Sequence, residues 1–565
     1  MSRRRTMSFH GEQGRPLLHL ETESETLNEE WIDQPSAAGR HRIVLKALAL
    51  ARPAHMCALL RRLAYCFVPQ LVRTHLFDDP AAKSKEFSTS YLNGLRGMTA
   101  LKVFTFHYFM VFTDATHVPY GASSRYTYVT ELPYIRYLWT GFTSHIFFGL
   151  AGYLTCQRLF ILLDKNDQAS QAKVLMSISG SLFRRAFRLY LPVFIITLIT
   201  TTYIHMGLYE HNRPLLLNWD RLFPGDWNET KPDMYQTWYE QLTFWGSEMY
   251  QLCNFVSADT VYPLIDQHLW SILAEMRASL HLHGIVIALA QCKRNVRLAA
   301  LCMLVFVYMW FNHWEIWVYI LGAIVAQIDQ ILNDKEKEQK IVFTKAEVEV
   351  GVRELTERDL EKEEAQHEGL QVVPTSFETL PSFSDRDIST YIHTPTACRA
   401  LRITGFMVAF YFLSFPIHGT RGDPAPGYET LKLFIPEWLE RKDKFYSNWG
   451  TFLLLLLLVR SNVKSSKWRK MLSHWLPQYV GKISFAFYLV QQLIQHAFGY
   501  MIPHHIWWAF GVEGIDTTNS AWLSAILIGW TFTLIVTLWM ADCWHRELEE
   551  RCTRLVKWLE NKCFR

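Results

Sequence analysis

The chain has 565 residues, half of them hydrophobic and 15% aromatic, with 57 Lys and Arg against 53 Asp and Glu. A net charge of +4 over that length leaves no strongly basic surface for nucleic acid. Its ten Cys show no CxxC or paired spacing, which argues against a disulfide framework and a zinc site. The mean hydropathy near zero hides a sharp segregation of charge, since long apolar runs alternate with charged stretches. The fold class expected is therefore all-α, a polytopic transmembrane helical bundle of about ten spans.

Residues 1–40 are polar and Ser/Glu-rich and are expected to be disordered, without the apolar core of a cleavable signal peptide. Residues 41–76 mix Leu, Ala and Val with Arg40, Arg42, Lys46, Arg52, Arg61, Arg62 and Arg73 in and beside them. That pattern fits a basic amphipathic helix on an anionic membrane face, or equally a helix packed on the protein. Ten apolar stretches follow, near 92–113, 139–163, 186–207, 267–290, 297–312, 314–333, 400–418, 449–462, 479–502 and 519–541. The fifth and eighth are short for a bilayer core of ~30 Å, which takes ~20 helical residues to cross.

Basic residues orient the spans. Residues 1–95 carry 13 Lys and Arg, 164–188 five, 334–402 ten and 460–482 six, whereas 114–138 carry two, 208–266 three, and 419–448 five that five acidic residues balance. The positive-inside rule then puts both termini in the cytosol, in the endomembrane system or the plasma membrane. Asn228-Glu229-Thr230 is a glycosylation sequon in the 208–266 loop, on the lumenal side of that arrangement. This aromatic loop is expected to fold over the lumenal mouth. The 334–397 loop is expected to be cytosolic, helical at first and then flexible. The domain division expected is a cytosolic region 1–87, a transmembrane domain 88–545 with those two insertions, and a cytosolic tail 546–565.

Four segments carry candidate chemistry. In the first span, Arg96 and His107 are eleven residues apart, so both lie on one helix face about 16 Å apart. An ionisable group at mid-membrane faces a polar cavity or a hydrogen-bonding neighbour. Lys102 points elsewhere. Phe147 to Tyr153 in the second span holds small residues that allow close helix approach. Before the third span, Arg184, Arg185 and Arg188 could grip a phosphorylated ligand or could merely mark the cytosolic edge. In the fourth, His268, Ser271, Glu275 and Ser279 form one polar stripe, with Trp270 beside it, and Arg277 and His281 share a second face. That stripe serves acid–base work or a polar clasp between helices.

Together these segments resemble the acyltransferase-3 family of membrane O-acyltransferases. Arg96 and His107 match the family's Arg, ten residues, His motif. Phe147 to Tyr153 resembles its second-span motif, Arg185-Ala-Phe-Arg188 its Arg-x-x-Arg, Trp270-Ser271 to Glu275 its Trp-Ser/Thr-to-Glu segment. Ser484-Phe-Ala-Phe-Tyr488-Leu-Val-Gln-Gln is similar to its late Ser-Tyr-x-x-Tyr-Leu-x-His helix. Asn93, Ala151 and Gln491 or Gln492 depart from the usual Asp, Ser and His. The sequon and the long loops suggest a fungal member.

The resemblance implies transfer of an acyl group, most often acetyl, from acetyl-CoA or another acyl-CoA to a hydroxyl. The acceptor is a polysaccharide, a glycolipid or a secondary metabolite, and no metal is implied. Arg185, Arg188 and Arg184 would take the donor's phosphates, and Arg96 would sit near the thioester. His107 would act as general base or carry the acyl group briefly. Glu275 would orient His107 or polarise the acceptor. The competing reading is a secondary transporter with an intramembrane His/Glu/Arg relay through His107, Glu275 and Arg277.

Overall fold

The computed structural model describes residues 90–121, 128–138, 144–165, 167–213, 232–256, 261–367, 395–417, 425–461, 466–512 and 517–564. The N-terminal region 1–87, its basic amphipathic segment and Asn228 lie outside the described residues. Among the described residues all regular structure is helical.

The longer helices are α1 (Ser90–Phe109), α2 (Ser144–Leu163), α3 (Gln168–His205), α4 (Trp238–Cys253), α5 (Trp270–Ala288), α6 (Arg294–Trp310) and α7 (Trp314–His367). They continue as α8 (Pro395–Leu413), α9 (Phe445–Arg460), α10 (Trp475–Ile494), α11 (Met501–Ala509), α12 (Asn519–Trp544) and α13 (Glu550–Cys563). Each of the ten apolar stretches overlaps at least one of these helices, and 479–502 runs from α10 across a π turn into α11. Two run well past the expected limits. α3 has 38 residues, ~57 Å at a rise of 1.5 Å, so its first half is surplus to a bilayer crossing. α7 is one helix of 54 residues, and the start of the 334–397 loop is helical as expected. The fifth and eighth stretches stay short, at 17 and 16 residues.

Local signals set several ends. Thr237 accepts from the Glu240 amide at 3.3 Å while the Glu240 carboxylate accepts from the Thr237 amide at 3.2 Å, so a capping box opens α4. The Thr518 hydroxyl accepts from the Ala521 amide and opens α12. Pro192 sits inside α3 and cannot donate to the Arg188 carbonyl four residues earlier.

Four helices are long and apolar enough to cross a membrane: α2, α3, α7 through Thr344, and α12 with the continuation to Cys563. They find different surroundings. In α7, Ile316, Val318, Tyr319, Ile320, Ala323 and Val325 are fully buried, the pattern of a helix apolar all round at the centre of a core. In α12, Ile528, Phe532 and Ile535 are each more than half exposed. Water would reject that continuous apolar face, and lipid accepts it.

Among the described residues the core divides into three. One cluster joins α2, α6, α7, α8 and α9 with parts of α1, α3 and α5, a second joins α1, α3, α4, α5, α10 and α12, and a third packs the end of α1 against α11 and α12. Close backbone contacts hold the first two. A Cβ on Gly152 would lie 2.1 Å from the Tyr319 carbonyl oxygen, and one on Gly322 would lie 2.1 Å from that of Gly149, so α2 and α7 touch through glycine. Gly97 and Gly481 bring α1 against α10 in the same way.

Candidate active site

A cavity of about 1510 Å³ is lined by residues of all three core clusters. It is larger than the usual ligand pocket of ~300–1,000 Å³, with room for two substrates. At one end it is lined by Arg96, Arg184, Arg185 and Arg188, with Glu275 and Glu549 as the nearby acids. At the other end Arg441, Lys442 and Lys444 are matched by Glu437, Glu440 and Asp443. The excess positive charge therefore sits at the first end, which suits an anionic ligand. At the second end, burial would raise the Asp443 carboxyl, but Lys444 and Arg441 outweigh it and hold the group well below the usual carboxylate range.

Between the ends lie two histidines. His107 stands in the last turn of α1 and lines the cavity. Its ring lies on that of His268, with centroids 3.6 Å apart and planes at 35°. The sequence put His268 on the helical stripe of Ser271, Glu275 and Ser279. The structure puts it in a 3₁₀ turn, Gln267–Leu269, just before α5. That turn is held by the Asp266 carboxylate, which accepts from the His268 amide at 3.0 Å, as Gln492 Oε1 does at 3.3 Å. His268, Ser271 and Glu275 face the cavity, whereas Ser279 is fully buried outside its lining.

Tyr488 of α10 braces the same turn. Its hydroxyl donates to the His268 carbonyl and lies 2.6 Å from Ser271 Oγ. A phenol has one proton, so Ser271 is the donor in the second bond. Gln492, four residues on, also reaches His496, at 3.3 Å. The late motif thus contributes to the site through Tyr488 and Gln492, and Gln491 is fully buried.

The arginines separate into distinct roles. The Arg185 guanidinium donates to Glu275 at 3.0 Å and to the Tyr319 hydroxyl at 2.8 Å. Glu275 is therefore held by Arg185. Arg184 pairs with Glu560 of α13. Arg188 is exposed at the cavity wall, one turn before Pro192. Arg96 makes no hydrogen bond with a described residue, and Glu275, Glu549, Arg185 and Arg188 are the charges around it. Glu275 and Arg96 both line the cavity that His107 enters.

Other expected residues take other places. Trp270 lines the cavity, with its ring 5.8 Å from Trp314. Arg277 does not line it; it forms a buried ion pair with Glu315 at 2.8 Å, tying α5 to the start of α7. The Lys102 ammonium sits 3.2 Å from the centroid of the Tyr137 ring, a cation–π contact. Residues at the site that the sequence did not single out are Tyr319, His117, the charged group 437–444, and Glu549, Cys552 and Thr553, whereas Tyr488 lay within the late motif. Nothing in the local sequence marks Tyr319, which reaches Arg185 across 134 positions.

No solved structure matches the chain. Among curated proteins it is similar to an O-acetyltransferase of Phomopsis amygdali, 24% identical over 501 residues, covering 85% of this chain and 86% of the relative. It is similar also to an acyltransferase of a Phoma species, 22% identical over 83% of this chain and 95% of that protein. A third relative, an acyltransferase of Cochliobolus lunatus, is 23% identical over 44% of this chain and 59% of its own. The family model for the acyltransferase domain matches residues 89–540, which hold α1 to α11, nearly all of α12 and most of the cavity lining. The chain belongs to the acyltransferase-3 family and is an acyltransferase enzyme.

Proposed function

We propose that the chain transfers an acyl group, most often acetyl, from acetyl-CoA or another acyl-CoA to a hydroxyl of a carbohydrate or small metabolite. The observation that carries this reading is one cavity joining an arginine cluster to the His107–His268 pair. The donor's phosphates rest among Arg184, Arg185 and Arg188, where guanidinium groups make charge-assisted, often bidentate contacts. Arg96 lies further in, toward the thioester. His107 takes the proton of the acceptor hydroxyl as its oxygen attacks the thioester carbonyl. The C–S bond then breaks, and the proton passes from His107 to the departing thiolate. Glu275, held by Arg185, keeps an acceptor group or the His107 imidazole in place.

The bundle crosses the membrane about ten times, with both termini in the cytosol, the arginine end on that side and the acceptor at the other. That topology puts Asn228 in the lumen, so the protein from eukaryotic cells is expected to carry a glycan there. Loss of the mobility shift in Asn228→Gln is the readout, and an unglycosylated Asn228 in the native protein counts against this orientation.

The donor site is tested by thiol release with purified protein. Arg188 makes no hydrogen bond with a described residue, so removing it leaves other contacts intact. Arg188→Ala is expected to raise the KM for acyl-CoA by about 10–100-fold, the scale of one hydrogen bond between charged groups, with kcat little changed. An unchanged donor KM would show that the phosphates bind elsewhere.

A further inference from the structure

The match to the family ends at residue 540, yet the cavity does not. Glu549, Cys552 and Thr553 line its arginine end. They come from a π-helical turn, His545–Glu549, and the first turn of α13. We propose that this helix beyond the family domain forms a wall of the donor site and sets the affinity for the CoA half of the donor. The proposal rests on the donor reading above.

Three observations support a built wall. First, α13 is seated on the molecule. Cys552 and Val556 are buried, Glu560 pairs with Arg184, and the Phe564 ring lies 5.3 Å from that of Phe183. Gly180 of α3 permits this approach, since a Cβ there would lie 2.8 Å from Glu560 Oε1. Second, the join is fixed. Arg546 donates to the fully buried Asp542 at 2.9 Å, and His545 pairs with Glu549 at 2.8 Å. A π turn adds a residue to the helical repeat, which turns α13 relative to α12, and such turns gather at functional sites. Third, the opposite faces of α13 differ. Cys552 and Val556 face inward, whereas Arg551, Leu555 and Trp558 are exposed. Basic groups beside an exposed Leu and Trp suit a helix lying in a membrane interface.

The wall also bears on Arg184. One of its nitrogens is committed to Glu560. A guanidinium has five N–H donors, so the others can still meet a phosphate. Thr553 adds a hydroxyl that can donate to a phosphate or accept from the donor's amides.

The test uses the full-length protein and acetyl-CoA. Thr553→Trp fills the wall and is expected to raise the donor KM about tenfold while the acceptor KM stays within about twofold. Arg551→Ala, on the exposed face, is expected to leave both unchanged. Independently, acetyl-CoA should slow alkylation of Cys552 about fivefold or more, read by mass spectrometry of its peptide. An unchanged donor KM in Thr553→Trp, with Cys552 modified equally fast in both conditions, overturns the proposal. Wild-type protein that releases no thiol from any acyl-CoA overturns the donor reading and this wall with it.

Discussion

Replacing His107 with alanine is expected to lower acceptor-dependent thiol release by about 10²–10⁴-fold, the usual contribution of a positioned general base. The expectation rests on place as well as residue type. His107 lines the cavity between its two charged ends, in the last turn of α1, which Gly97 and Gly481 press against α10. His268 covers one face of its ring. The loss should fall on kcat, with the donor KM within a few-fold of wild type, because the phosphate contacts are untouched. His268→Ala leaves the base present but removes the ring stacked on it, so a smaller loss is expected there. Full activity in a well-folded His107→Ala protein would remove the histidine from the chemistry.

The second large effect concerns stability. Arg277 and Glu315 have side chains only 6% and 3% exposed and lie 2.8 Å apart. Arg277→Met leaves the Glu315 carboxylate buried without its cation. A loss of about 3–5 kcal/mol is expected, seen as a lower unfolding temperature in detergent. The double variant Arg277→Met/Glu315→Leu removes both charges and should recover most of it, since apolar replacement of a buried pair is often neutral. Arg277 does not line the cavity, so activity per folded molecule should change little in the double variant. A loss below about 1 kcal/mol in the single variant would mean that the pair behaves as a solvated surface bridge.

Much of the architecture was legible because a bilayer imposes long apolar runs and basic flanks. Each stretch read from hydropathy overlaps a helix, and Arg96 and His107 both line the cavity. Helix length was less legible. The polar first half of α3 stays helical without an apolar run, and the helix expected at the start of 334–397 is continuous with the span before it. Pairings between distant segments were not legible at all. Glu275 was read as one of a polar stripe with no partner named, and its partner is Arg185, ninety positions earlier. Arg277 finds Glu315 on another helix. His268 was read as part of a regular stripe, whereas the 3₁₀ turn capped by Asp266 brings its ring onto His107. Residues 546–565 were read as a cytosolic tail outside the resembling segment, and nothing in them announced the contacts that α13 makes with Arg184 and Phe183.

The glycine contact between α2 and α7 bears on how genetic variation in this gene would read. At Gly152 a single methyl group would meet the Tyr319 carbonyl at 2.1 Å, and at Gly322 the Gly149 carbonyl at the same distance. No single-nucleotide change of a glycine codon yields a smaller residue, so every missense allele at these two positions meets backbone. They would appear intolerant in a survey of variants even though they touch no substrate. Tyr319, on the other side of the same contact, holds Arg185 through its hydroxyl. An allele that pushes the two helices apart would therefore look like a catalytic defect while its cause is steric.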